Sequence, residues 1–222
     1  MFKHRHPYEP FLFKEATKLI VGTLPPPRFT IGELKNDDVD FCYGSRNGLL
    51  WPILDRIFEL NLKYETTHLA VEQRRQFLIQ QKIAVCDIVE SAEREKIDAS
   101  DLGMQNVRLR NIIGYLQEFE KLHTLLFMGG NSKNGPEYFF RRQLKESGLK
   151  MHIVSREVPR VHRFKLPETK RTIKTVSLTA PSGAANRAIG SMPAYRRLKE
   201  VDPDFNTLDF RVMQYLEYFV AP

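Results

Sequence analysis

Three short apolar segments separated by helical patterns constrain the fold of this chain more than any other feature. The segments are "KLIVGTL" (18–24), "IAVCDIV" (83–89) and "HTLLFMGG" (123–130). The second has no polar alternation before Asp87, which is typical of a strand buried on both faces. Residues 47–60 carry leucine, isoleucine and phenylalanine at helical spacing. Strands that alternate with helices predict a parallel sheet covered by helices, so we expect the α/β class.

Further patterns extend this alternation toward the end of the chain. Helices are expected over 70–81, 106–119 and 134–147, extended segments over 151–155 and 173–182, and helical structure after Ser182 with a break at 202–206. Sheets of this class bind ligands beyond the carboxyl ends of their strands. Four polar or constrained loops are expected at that edge: "GTLPPPR", "CDIVESAERE", "GGNSKNG" and "TAPSGAAN". We therefore expect a functional site where these loops converge.

Composition and charge exclude several classes of protein. The net charge of +7 favours a polyanionic partner, with nucleic acid as the first choice. Two cysteines, Cys42 and Cys86, are too few for a disulfide framework or a four-thiolate cluster, and they suit a reducing compartment. The first residues lack the apolar core of a secretory signal, and no apolar run approaches membrane-spanning length. We expect a cytoplasmic protein that uses no membrane, metal or cofactor.

Four segments, in this order, resemble the uracil-DNA glycosylase superfamily. They are "VGTLPPP", "FCYGSRNGLLWPIL", "CDIVESAEREKIDASDL" and "LTAPSGAANR". The likeness is strongest to the mismatch-specific, single-strand-selective and hypoxanthine-type branches. It implies a three-layer α/β/α sandwich with a central, mainly parallel four-stranded sheet. We expect one domain over 1–222, with its core at about 18–199 and a C-terminal helical extension over 200–222.

The resemblance also implies an activity. Members hydrolyse the bond between a damaged base and its deoxyribose, and a target inside a duplex must first be extracted into a pocket. We expect a monomeric, monofunctional glycosylase that acts on uracil or hypoxanthine in DNA with water as the nucleophile. Two alternatives remain open. One is a DNA- or damaged-base-binding protein that no longer cuts, and the other is a nucleoside or nucleotide hydrolase.

The first motif departs from its relatives at the position that holds the attacking water. Gly22, Thr23, Leu24 and Pro25 are expected to bind the base, with the glycine allowing close approach of the backbone and the prolines holding the loop rigid. The family often has Asp or Asn where this chain has Leu24, whose side chain cannot form a hydrogen bond. Asn47 is the predicted catalytic replacement, and its alternative role is that of a helix N-cap.

Two further residue types are expected at the base. The family's stacking aromatic corresponds to either Phe41 or Tyr43, since a shift of one residue leaves Cys42 at the matching position; we favour Tyr43. Asp87 ends a buried strand, where an unpaired carboxylate is costly. We expect its partner to be an arginine, such as Arg94, or the edge of the base.

The fourth segment resembles the family's second motif, which grips phosphates and inserts into the duplex. Many members begin it with histidine, and Thr179 or Ala180 stands there in this chain. The residues expected to contact DNA are Ser182, Gly183, Ala184, Asn186 and Arg187. Ser182 has an alternative role as the N-cap of a helix, and the two roles are compatible because helix N-termini bind phosphate.

Overall fold

The computed structural model describes residues 1–220. The strands are β1 (Phe2–Arg5), β2 (Lys18–Val21), β3 (Ile83–Val85), β4 (Val89–Arg94), β5 (Gln105–Leu109), β6 (Thr124–Phe127), β7 (His152–Ser155), β8 (Arg160–Lys165) and β9 (Thr172–Ser177). The helices are α1 (Pro27–Thr30), α2 (Leu50–Phe58), α3 (His68–Gln80), α4 (Ile112–Glu118), α5 (Pro136–Glu146), α6 (Asn186–Gly190), α7 (Pro193–Val201) and α8 (Thr207–Val220). Two 3₁₀ turns cover Asp101–Gly103 and Gly183–Ala185.

The main sheet has six strands in the order β3-β2-β6-β9-β8-β7. The first four run parallel, and β8 and β7 add an antiparallel hairpin at one edge. The expectation of four strands was therefore wrong for the whole sheet, because the β7–β8 hairpin pairs with the outer edge of β9 and adds two strands. Lys18 pairs with both Ile83 and Thr124, so the parallel strands begin level and end at one common edge.

Helices cover both faces of this sheet, as the alternation predicts. Successive residues of β2 point to opposite faces: Leu19 and Val21 belong to the core beneath α4 and α5, whereas Ile20 belongs to the core beneath α2, α3 and α8. Tyr215 and Phe219 of α8 are buried in that second core. The segment expected as an extension thus contributes to the packing of the sheet.

A second sheet stands apart from the first, with three antiparallel strands in the order β1-β4-β5. It overturns two predictions: residues 86–95 contain β4 rather than only a loop, and residues 106–119 begin as β5, with the helix starting at Ile112. The side chain of Asn111 caps that helix by accepting the N–H of Gly114 at 2.9 Å. Val107 and Leu109 lie two residues apart and are both half-buried, a strand pattern within the predicted helix.

Candidate active site

A cavity of about 530 Å³ lies at the common carboxyl edge of the parallel strands, within the usual size range for small-ligand sites. Three segments surround it, which we call the proline loop (22–26), the asparagine segment (43–48) and the serine loop (180–184). The residues that line it are Gly22, Thr23, Leu24, Pro25, Pro26, Arg28, Tyr43, Gly44, Ser45, Asn47, Gly48, Asp87, Ala99, Asp101, Met128, Ala180, Pro181, Ser182, Gly183 and Ala184. Most of the residues predicted for the site therefore meet in one place.

Asp87 is held from three directions at the cavity. Its Oδ1 accepts hydrogen bonds from the Gly22 N–H at 2.8 Å and the Tyr43 hydroxyl at 2.6 Å, and its Oδ2 lies 3.0 Å from His6 Nε2. Burial, followed by the charge of Asp87, raises the pKa of Tyr43 well above its usual value, so the phenol keeps its proton and donates it. The prediction that Arg94 pairs with Asp87 was wrong, because the Arg94 side chain donates to His4 and to the Ser100 carbonyl instead.

Gly22 makes this arrangement possible. A Cβ at this position would lie 2.2 Å from the Tyr43 hydroxyl oxygen and 2.8 Å from Asp87 Oδ1. Any larger residue would therefore displace the phenol or the carboxylate. The close approach predicted for this glycine is used by the protein's own side chains in the floor of the cavity.

The asparagine segment follows a constrained turn. Tyr43 adopts φ of 59°, a left-handed conformation that is uncommon for a bulky residue and is often found at functional sites. A Cβ on Gly44 would lie 1.9 Å from the Val39 carbonyl oxygen, so only glycine fits there. This turn aims the Tyr43 ring at the cavity while the neighbouring Phe41 stays in the core.

Asn47 lines the cavity and does not cap a helix. Helix α2 begins two residues beyond Gly48, and its N-cap position is Leu49. Within residues 1–220 the Asn47 side chain has no hydrogen-bond partner, whereas its backbone N–H donates to Ser45 Oγ at 3.3 Å. The amide group therefore has no hydrogen bond that would give it a structural role among the described residues.

Arg28, two residues beyond the proline loop, links that loop to the asparagine segment. Arg28 donates to both oxygens of Asp38 at 2.7 Å and to Ser45 Oγ at 2.9 Å. Burial alone would raise the pKa of Asp38, but Arg28 and two backbone N–H groups outweigh burial and lower it to about 2. Arg28 is thus committed to Asp38, even though it lines the cavity.

The serine loop is joined to the asparagine segment and to α8. Gly48 and Ser182 form an antiparallel bridge, and the Leu49 N–H donates to the Pro181 carbonyl at 2.9 Å. Ser182 occupies the N-cap position of a short 3₁₀ turn, and its side chain makes no capping hydrogen bond. Its hydroxyl is therefore not used as the alternative N-cap role requires.

Arg211 of α8 holds the serine loop from beneath. Its side chain is fully buried and donates to the Ala180 carbonyl at 3.0 Å, the Ser182 carbonyl at 2.7 Å and Asn186 Oδ1 at 2.9 Å. It also donates to the Thr207 carbonyl at 3.1 Å. Burial lowers the pKa of this guanidinium. The loop's shape thus depends on a helix that follows it in the chain.

Three predicted residues lie away from the cavity lining. Phe41 is 5% exposed and packs its ring against Trp51 and Phe11, so the core takes this aromatic. Asn186 is occupied by Arg211, as described above, and Arg187 is exposed on α6. Neither lies among the residues that enclose the cavity, because the chain turns into the 3₁₀ helix and α6 before reaching them.

Three residues that shape the site were not predicted from the sequence. His6 lies far from Asp87 in the chain, Arg211 lies in a helix with a mixed surface, and Asp101 lies in a polar stretch without a clear pattern. His6 and Arg211 are recognisable only through contacts between distant segments. Asp101 carried one local signal, since it falls within one of the four family-like segments.

Residues 1–220 contain no group of three or more His, Cys, Asp or Glu placed to hold a metal ion. Over the same range, the structure has no helix with the length and apolar character needed to span a membrane.

Comparisons with known proteins support the fold. No protein-family model matches the chain, and no curated protein matches it. A solution NMR structure from Methanosarcina acetivorans, described as a candidate uracil DNA glycosylase, matches with a TM-score of 0.53 and 17% identity. The match covers 97% of this chain and 99% of that one. The chain therefore has an α/β fold of the kind found in that glycosylase candidate.

Proposed function

We propose that the protein is a DNA glycosylase that hydrolyses the N-glycosidic bond of a deaminated base, uracil or hypoxanthine, with water as the nucleophile. The observation that carries the proposal is the cavity itself. The proline loop, the asparagine segment and the serine loop all line it, and each lies within a segment that resembles the family. The partner is DNA containing the damaged base, for which the net charge of +7 is favourable.

Asn47 is the residue to which we assign placement of the water. Cleavage of the N-glycosidic bond builds positive charge on the sugar, as in glycoside hydrolysis, so a well-placed water suffices and a strong base is not required. The unpartnered amide of Asn47 offers a donor and an acceptor at the cavity. The Leu24 side chain, on the proline loop, offers neither.

Tyr43 is the stacking platform in this proposal. Its hydroxyl is tied to Asp87 at 2.6 Å, so its ring has a fixed orientation at the cavity. A flipped base can stack on a ring held in this way without ordering it first. The hydroxyl of Ser182 on the opposite loop is the group proposed to donate to a backbone phosphate.

Base release tests the proposal. Excess protein is incubated with single-stranded and duplex oligonucleotides that carry one uracil or one hypoxanthine, and abasic sites are cleaved with alkali. We expect release by the wild type and a loss of about 100-fold or more in Asn47→Ala, as for other single oriented groups. Asn36→Ala is the control, because Asn36 is exposed and lies outside the cavity lining.

Each result has a distinct meaning. Release that survives Asn47→Ala would keep the enzyme and reject the role of Asn47. No release from any substrate, together with duplex binding that weakens with salt, would favour the non-cutting DNA-binding alternative. No release and no DNA binding, with hydrolysis of a free nucleoside, would favour the small-molecule alternative.

A further inference from the structure

Two carboxyl groups line the cavity, and their surroundings differ. Asp87 uses both oxygens, as described above, to hold Gly22, Tyr43 and His6. Asp101 uses one oxygen: its Oδ1 accepts a hydrogen bond from Thr23 Oγ1 at 2.8 Å. Its Oδ2 has no hydrogen bond to any residue within 1–220. Asp101 therefore has a carboxyl oxygen available to a ligand.

The position of Asp101 is fixed by a distant loop. Asn134, which is 6% exposed, donates from Nδ2 to the Asp101 carbonyl at 2.9 Å and to the Met104 carbonyl at 3.1 Å. These two bonds clamp both ends of the 3₁₀ turn that carries Asp101. Thr23 of the proline loop then sets the direction of the carboxyl group. The side chain is built into the cavity rather than left in a mobile turn.

Within residues 1–220, no cation forms an ion pair with Asp101. The charge of Arg94 on β4 acts on Asp101, but the Arg94 guanidinium donates to the Nδ1 of His4 at 2.8 Å and to the Ser100 carbonyl, and it lies 3.6 Å from Asp98. Burial, with a smaller contribution from the charge of Asp87, raises the pKa of Asp101 to about 6 against the opposing effects of Thr23 and Arg94. A sizeable fraction of this carboxyl is therefore protonated in mildly acidic solution.

The other titratable groups of the cavity are already occupied. Arg28 is paired with Asp38, and the Tyr43 hydroxyl donates to Asp87. Just before the serine loop, the Thr179 hydroxyl donates to Gln214 Oε1 at 2.8 Å. Among the described residues that line the cavity, Asp101 is the carboxyl group with an oxygen left for a substrate.

We infer that Asp101 is the general acid that protonates the departing base, a role that rests on the proposed glycosylase function. The C1′–N bond breaks and its electron pair goes to the base. The carboxyl proton of Asp101 goes to a ring nitrogen of that base, water oxygen bonds to C1′, and the water gives a proton to solvent. Asp101 then takes a proton from solvent. The role fits a purine such as hypoxanthine, whose departure is eased by protonation of the ring.

Two bases that differ in their need for a proton distinguish a general acid from a residue that only supports the structure. A general acid matters for the base that needs the proton, whereas a structural residue affects the release of both bases. Single-turnover release is measured at pH 6 for wild type and Asp101→Asn on two oligonucleotides, one with hypoxanthine and one with 5-fluorouracil. Fluorine stabilises the departing pyrimidine anion, which needs no proton. We expect Asp101→Asn to slow hypoxanthine release by about 100-fold or more and 5-fluorouracil release far less. Asp204→Asn, at an exposed aspartate outside the cavity lining, should leave both rates unchanged.

The pH profile of the wild type provides a second measurement that needs no variant. Hypoxanthine release should fall as pH rises through about 6, because the protonated carboxyl is the active form. Equal losses on both bases in Asp101→Asn, no loss on either, or a wild-type rate that does not fall above pH 6 would each overturn the role of Asp101. If the wild type releases neither base, the proposed function is wrong and this role falls with it.

Discussion

The two loops on opposite sides of the cavity are held in place by different means. The proline loop is stiffened by its own residues, since each proline fixes φ near one value, and its far end is tied down by the Arg28–Asp38 pair. The serine loop contains one proline and depends on Arg211, which reaches it from α8. Local sequence is thus enough to make one wall of the site rigid, whereas the other wall depends on the completed tertiary structure.

Of the substitutions that test how the two loops are held, Arg211→Ala should lower the free energy of unfolding most. The guanidinium is fully buried and satisfies carbonyl groups of the serine loop, so its removal leaves them without donors. We expect the free energy of unfolding, measured in urea, to fall by about 3 kcal/mol. Arg197→Ala on the exposed face of α7 is the control and should change little. A loss below about 1 kcal/mol would mean that water or neighbouring groups replace the guanidinium.

Acid should act on the proline loop and not on the serine loop. The pKa of Asp38 is lowered from 3.8 to about 2 in the folded protein, so its stabilising effect is complete above about pH 5 and is lost as pH falls toward 2. We expect the stability difference between wild type and Asp38→Asn to shrink by about 2 kcal/mol over that range. The difference between wild type and Arg211→Ala should stay constant there, because no carboxyl partner is involved. A difference for Asp38→Asn that does not change with pH would contradict the anchoring role of this ion pair.

Pro25→Ala should have the smallest effect. The substitution removes no hydrogen bond and mainly frees the unfolded chain, so we expect a loss of about 0.5 to 1 kcal/mol in the free energy of unfolding. Pro203→Ala, in the exposed turn before α8, is the matched control for the same chemical change. A loss of several kcal/mol at Pro25 would show that this ring stabilises the fold by packing rather than by restricting the chain.

The parallel strands of the main sheet were predictable from sequence, whereas β8 and the second sheet were not. Parallel strands buried on both faces need continuous apolar runs, and "KLIV" and "TLLF" are such runs. Strand β5 has no buried residue, and β4 mixes buried with half-buried ones, so neither shows a clear period. Such strands form because they pair with other strands: β4 pairs with β1, which is distant in the chain, and with β5. The local sequence pattern carries little information about this pairing.

The cavity was predictable where the chain had to adopt a special backbone. Gly22 and the prolines indicate a rigid loop beside the cavity. The placing of Tyr43 and Asn47 at the site was predicted from the likeness to a family. The partner of Asp87 was not predictable, because His6 lies 81 residues away and nothing local marks it. Asp101 was similarly hidden, since its availability follows from what Thr23 and Arg94 each bind in the folded protein.

The position of Arg211 near the end of the chain has a consequence for the order in which the site forms during synthesis. A chain that emerges from the ribosome amino end first presents His6, the proline loop and Asp87 early, so the floor of the cavity has its partners while translation continues. The serine loop must wait about 30 further residues for its arginine, roughly 2 to 6 seconds at usual elongation rates. Translation that stops before α8 would yield a chain whose serine loop lacks its arginine and whose sheet lacks the part of its core that Tyr215 and Phe219 supply.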